Sequence, residues 1–275
     1  MADEVEKPTA AQAPKHSGAL VEGVENVGRT VMGTVADLGG ISVLAWQIVR
    51  WAARPPFRLA NLFAQLDFVG VGSTFIVTLT GTFTGMVFAQ QSSRAFEIFG
   101  AESLVGPTVG LTVTRELAPV FTALMVTMRA GSAMCTELGT MRVTEQVDAL
   151  ETMAVNPIQY LLVPRVLAGL LMVPMLTLLF DMAGLAGGFF ISVEVKGISA
   201  GTWMARTQQW LDPEDVWEGV IKAAVFGFTM ALIACYKGFN ASGGAKGVGK
   251  ATTEAMVTGA LSIFILDYFV GVLLH

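Results

Sequence analysis

Charge is what this sequence has least of. Only 14% of its 275 residues are Asp, Glu, Lys or Arg, while 53% are apolar; a soluble domain carries about 25% charge. So few charges cannot cover a water-soluble fold of this size, and the apolar surface has to face lipid. The mean hydropathy, +0.61, says the same. Cysteine is scarce: Cys135 and Cys235 lie in or beside apolar stretches with no CxxC spacing. The histidines, His16 and His275, stand towards opposite ends of the chain, away from both. A disulfide scaffold and a metal centre are therefore not expected. There is no run of Lys or Arg, so the net charge of −5 points to no nucleic-acid partner. No cleavable signal is evident either. The first apolar run begins near Val31, after a polar tail over 1–18 that reads as disordered.

Long apolar runs are what the sequence does have. A hydrocarbon core of ~30 Å needs about 20 apolar residues in a helix. Stretches near 68–89, 104–135, 164–193, 218–236 and 253–274 meet that length. An earlier stretch, Val31–Trp51, is apolar enough to span but holds Asp37, Trp46 and Trp51 and runs into Arg50, Arg54 and Pro55-Pro56. Tryptophan beside arginine marks a bilayer interface. The region 19–64 is thus expected to be an interfacial helix, not a sixth span. The fold class expected is an all-α integral membrane protein with five transmembrane helices in a domain over 65–275.

Lys and Arg set the orientation. Arg50, Arg54 and Arg58 precede the first span, Arg142 follows the second, and Lys237, Lys246 and Lys250 follow the fourth. The opposite loops hold Arg94, Lys196 and Arg206 among several carboxylates. That asymmetry places the N-terminus in the cytoplasm and His275 outside.

One cytoplasmic connection does not read as a loop. Over about 137–154, Val143, Val147, Leu150 and Ala154 recur on one helical face, with Arg142, Glu145, Gln146, Asp148 and Glu151 on the others. Thr144 is placed to cap it locally, and Asn156-Pro157 to stop it. Such a helix either lies on the membrane surface or docks into a partner. Its acidic bias, with Glu137, Glu145, Asp148 and Glu151 against Arg142, disfavours anionic lipid and suits a groove with basic edges.

Arg115-Glu-Leu-Ala-Pro119, Arg129-Ala-Gly-Ser-Ala133, the run from Glu137 to Leu150, Asn156-Pro157 and Pro164-Arg165 succeed one another in order. With Lys196-Gly197, Lys222, Ala251-Thr-Thr253 and Asp267, this series resembles the MlaE (YrbE-like) permeases, which belong to ABC transporters associated with MCE proteins. It covers roughly residues 30–275. The resemblance implies a homodimeric permease in a bacterial inner membrane, moving phospholipid or a related lipid between inner and outer membranes. It implies two cytoplasmic ABC ATPases and a periplasmic MCE-protein hexamer as partners. The amphipathic helix would be the coupling helix, with Glu137, Arg142, Glu145, Gln146, Asp148 and Glu151 meeting the ATPase.

No cofactor is expected in this chain, ATP and magnesium belonging to the partner ATPase. A phosphate-binding P-loop needs GxxxxGK[ST]. Gly243–Lys250 has glycines and lysines without that spacing, and reads as a flexible turn. An enzyme would need a nucleophile or metal constellation, which is missing. An ATP-independent secondary transporter or channel is the rival reading, but such folds are built from internal repeats and none is evident.

Ionisable residues at bilayer depth cost at least ~2.5–3.5 kcal/mol each unless paired or watered. Arg115, Glu116, Arg129, Asp181, Lys222 and Asp267 are of this kind, with Glu102 at a span edge. Glu102, Lys222 and Asp267 fall near the outer leaflet. They are expected to pair with one another or to rim a lipid cavity walled by Phe83, Phe88, Leu261 and Phe264. The positions matching them in the family line or border the lipid pocket. Adjacent Arg115 and Glu116 point about 100° apart on a helix and should bridge to different neighbours. Arg129 reads as an anchor, and Asp181, beside Gly184, Gly187 and Gly188, as structural. Gly81-xxx-Gly85 offers a close-packing face to a neighbour that the sequence does not name.

Overall fold

The structure, a computed structural model, describes residues 18–55 and 58–274. Most of the polar tail, Pro56 and both histidines lie outside that range. Every described element is helical. They are α1 (Gly18–Ala52), α2 (Leu59–Glu97), α3 (Glu102–Val143), a short α4 (Gln146–Thr152), α5 (Ile158–Val195), α6 (Ala200–Trp210), α7 (Pro213–Phe239) and α8 (Gly244–Leu274). Five of these, α2, α3, α5, α7 and α8, are long and apolar enough to cross a membrane, and α1 is not among them.

The chain divides into two compact units at Val43/Leu44, within α1. The first is helical from Gly18, and Met32, Val35 and Leu38 are exposed there. In the second, Leu44 and Ile48, one turn apart, are buried, while Trp46 and Val49 are exposed.

Glycine decides how closely the spans approach. The buried stripe of α2 runs Val69, Ser73, Val77, Gly81, Gly85 and Ala89, one residue every four, and it lies along α5. A Cβ on Gly81 would stand 2.9 Å from the Phe180 carbonyl, and one on Gly85 would overlap Gly184. Gly187 meets the Thr82 carbonyl in the same seam. The neighbour of the Gly81-xxx-Gly85 face is therefore the third span of the same chain. Gly169 and Gly227 repeat the device where α5 crosses α7. Lipid supplies no hydrophobic drive for helices to associate, so close backbone packing of this kind holds spans together.

α7 sits centrally, packed on α5, α8 and α3. Of the apolar window of α7, 61% is buried within the chain, against 11% for α8. Leu261, Phe264, Ile265, Tyr268 and Phe269 of α8 are exposed. Cys135 and Cys235 are free and buried, and α3 and α7 touch there through Gly238 against the Cys135 carbonyl.

Two expectations about connections change. The amphipathic stretch over 137–154 is not one helix. α3 has 42 residues, about 63 Å at 1.5 Å per residue, so it projects well beyond a hydrocarbon core of ~30 Å. Glu137 and Arg142 belong to that projection, and only Gln146–Thr152 forms the separate helix. Glu145 (φ 60°) and Ala154 (φ 56°), both left-handed without being glycine, break the chain on either side of it. Thr144 bonds back to the Thr140 carbonyl instead of capping α4. Asn156 caps the start of α5, its Oδ1 accepting from the Ile158 amide at 2.9 Å. Nor is Gly243–Lys250 a loose turn: α8 begins at Gly244, and Gly247 lies so close to the Ser242 carbonyl that only glycine fits.

Candidate functional site

α3 is interrupted by two π-helical turns, Val113–Leu117 and Thr127–Gly131, and these carry its intramembrane charges. A π turn is an expanded turn inside an α-helix, frequent at functional sites. The first presents Arg115 and Glu116 to α7. Arg115 Nε donates to Asp215 Oδ1 at 2.6 Å and lies 3.7 Å from Glu218. Asp215 also accepts from the Asp212 amide at 2.8 Å with its other oxygen, so one carboxylate both caps α7 and binds α3.

Lys222 lies at the centre, with no exposed surface. Its ammonium donates to Glu116 Oε1 at 2.8 Å and to the Arg115 carbonyl at 3.2 Å. Glu218 stands 3.7 Å away on the same helix and Asp267 of α8 3.9 Å away. Two cations thus face four carboxylates, joining α3, α7 and α8.

This network borders one open groove, and the residue that follows Glu116 lines a second. Glu116 and Asp267 line one of about 490 Å³ with Phe264, Tyr268, Gly271 and Val272. Leu117, next in sequence, lines another of about 550 Å³ with Phe83, Phe88, Val87 and Phe121. Of the residues expected at a lipid cavity, Lys222, Asp267 and Phe264 come together, and Phe83 and Phe88 share the second groove. Leu261 is exposed outside both grooves. Glu102 is exposed in a 3-10 turn beside α6 and joins neither groove nor network. Asp215, Glu218 and Tyr268 were not singled out from sequence. The i, i+4 spacing of Glu218 and Lys222 was the available signal.

The second π turn behaves differently. Arg129 Nη1 donates to the Phe68 carbonyl at 2.6 Å and to Ser73 Oγ at 3.0 Å, and its guanidinium lies over the Phe68 ring at 5.1 Å. Gly72 leaves room for it, since a Cβ there would collide with the guanidinium. Asp181 is buried against the glycine-rich seam, its Oδ1 without a hydrogen bond.

At the other end of the bundle, the acidic residues around α4 are exposed. Arg142 reaches across the break to Asp148 at 2.5 Å. Glu137 binds buried Arg165 at 2.8 Å, tying the end of α3 to α5. Gln146 donates to Thr144, while Glu145 and Glu151 face outward.

A profile of the family described as Permease MlaE matches residues 62–273, which takes in all five spans. The chain belongs to that family. Its similarity to individual members runs along nearly the whole length. It is 40% identical over 251 residues to a "Probable ABC transporter permease protein" of Rickettsia felis, covering 91% of this chain and 97% of that one. It is 35% identical over 254 residues to the "Intermembrane phospholipid transport system permease protein MlaE" of Haemophilus influenzae, covering 90% and 96%. It is 39% identical over 228 residues to the chloroplastic "Protein TRIGALACTOSYLDIACYLGLYCEROL 1" of Arabidopsis thaliana, covering 83% of this chain and 65% of that protein. The Lys222 network and the α4 helix both lie within the matched MlaE region.

Proposed function

We propose that this chain is the permease subunit of an ABC transporter that moves phospholipid, or a related lipid, between the inner and outer membranes. In this reading it works in the inner membrane as a homodimer, with two cytoplasmic ATPases and a periplasmic MCE-protein hexamer. Its N-terminus is cytoplasmic, its C-terminus periplasmic, and α1 lies in the interface. The observation that carries the reading is the buried Lys222 network beside apolar grooves near the periplasmic end. Apolar walls take acyl chains, while the charges of Glu116 and Asp267 meet a headgroup. Glu102 has no part in that rim. Catalysis belongs to the ATPase, which holds ATP and magnesium. The exposed residues Glu145, Gln146, Asp148 and Glu151 of the α4 region form the docking surface for the ATPase, steadied by the Arg142–Asp148 and Glu137–Arg165 pairs.

The deciding experiment is purification of the assembly and then a vesicle assay of lipid transfer. An ATPase and an MCE protein should co-elute with two copies of this chain. Transfer should stop when the ATPase is made hydrolysis-dead. Transfer that continues would overturn the proposal in favour of an ATP-independent carrier or channel.

A further inference from the structure

Arg115, Arg142 and Arg165 each hold a carboxylate, and Arg129 is held by a backbone carbonyl and a serine hydroxyl of α2. Arg50, Arg54 and Arg58, where α1 turns into α2, have no ion-pair partner among the described residues. Two of them are nevertheless held in place. The Arg54 guanidinium lies 5.3 Å from the centre of the Trp51 ring, and that of Arg58 lies 4.5 Å from the Tyr160 ring. The backbone is pinned as well, with Gln159 Nε2 donating to the Arg54 carbonyl at 2.8 Å. A guanidinium held over a ring, with no carboxylate on it, keeps N–H donors to spare, and those donors suit a phosphate.

Beside these cations runs a narrow slot of about 70 Å³, lined by Trp51, Leu59, Leu62, Val163 and Leu167 together with Arg54 and Arg58. It has room for the first few methylenes of an acyl chain and no more. Exposed Trp46, one turn back, sets the depth at the interface between hydrocarbon and headgroups. Cation edges without carboxylates, an apolar slot next to them and interfacial depth call for one molecule that is anionic at one end and aliphatic at the other.

We propose that this elbow binds an anionic glycerophospholipid of the surrounding leaflet, its phosphate on Arg54 and Arg58 and the top of one chain in the slot. The leaflet is the cytoplasmic one, which rests on the orientation proposed above. The site lies at the opposite end of the bundle from the Lys222 network. It is therefore a resident-lipid site that anchors the elbow to α5, separate from the transported lipid.

The test uses the full chain with its co-purifying partners in phosphatidylcholine nanodiscs. These are doped with a photoactivatable phosphatidylglycerol or, in a parallel arm, a photoactivatable phosphatidylcholine, and crosslinks are mapped by peptide mass spectrometry. The phosphatidylglycerol probe should label the segments around 51–62 and 159–167. Labelling should fall by at least about tenfold in R54Q/R58Q, less than the loss of one charge-assisted hydrogen bond would give. R54K/R58K should keep part of it, which separates lost charge from a misfolded elbow. Equal labelling by the phosphatidylcholine probe, or unchanged labelling in R54Q/R58Q, would overturn the proposal. Displacement of the probe by inorganic phosphate would overturn it too, by showing a free-anion site. The readout needs no transport, so labelling with failed lipid transfer would sink the transport reading and leave this site standing.

Discussion

At Val113–Leu117 and again at Thr127–Gly131, α3 widens into a π turn, and each turn sends charged groups to a neighbouring helix. Arg129, on the second, is consumed by its contacts: a backbone carbonyl, a serine hydroxyl and an aromatic face, all on α2. Arg115 and Glu116, on the first, enter a network in which carboxylates outnumber cations by four to two and whose edge opens on a groove. A buried charge satisfied by fixed backbone groups is a staple between helices. A network with surplus carboxylates beside a groove has capacity left to be met from outside. The same backbone device thus fastens α3 to α2 at one turn and places charges beside a groove at the other.

The largest effect should come from Lys222→Met. It removes a fully buried cation and leaves Glu116, Glu218 and Asp267 without it; breaking a fully buried pair costs about 3–5 kcal/mol, and the half-exposed Glu116 lowers that figure here. The thermal midpoint of the detergent-solubilised protein should drop sharply, and Lys222→Met/Glu116→Gln should recover part of the loss. Equal midpoints for single and double variants would show that the two groups do not act as a unit. Arg129→Gln should come next, losing about 1.5–3 kcal/mol for a hydrogen bond made by a charged group. It should loosen α2 without changing lipid crosslinking near Tyr268, measured by midpoint and by crosslink yield. If crosslinking near Tyr268 falls as well, the contrast between staple and site collapses.

Asp267→Asn should be milder in stability, about 1 kcal/mol or less, because it stands 3.9 Å from Lys222 at a partly open edge. Its signature should be reduced crosslinking of lipid to photoreactive groups placed at Phe264 or Tyr268; unchanged crosslinking with normal transfer would return Asp267 to helix packing. The smallest change in stability belongs to Glu145→Lys, exposed beyond the end of α3. Its stability should stay within about 0.5 kcal/mol of the parent, while the ATPase is lost in a pull-down. Retained ATPase would count against a docking role for α4.

Much of this protein was legible in one sequence because a bilayer simplifies the reading. Span number comes from run length, since every backbone group in lipid has to be satisfied within a helix. Charges at bilayer depth announce themselves by their cost, which is why Arg115, Glu116, Lys222 and Asp267 stand out in the bare sequence. Boundaries in water were harder. Hydrophobic periodicity continued through Val143 and Val147 as though one helix ran on, while the backbone reverses hand at Glu145. Periodicity records side-chain placement and is blind to a single left-handed residue.

The sequence by itself determined an all-helical membrane protein, its five spans and the short list of charges that demand partners, because apolar length and charge cost are local properties. Only the tertiary structure decided who the partners are. It joined Lys222 to Glu116 and Asp267 and left Glu102 aside, gave Arg129 to the Phe68 carbonyl, and set Gly85 against Gly184. Those pairings depend on the phase of each helix about its axis, which a π turn shifts without leaving a pattern in the residues.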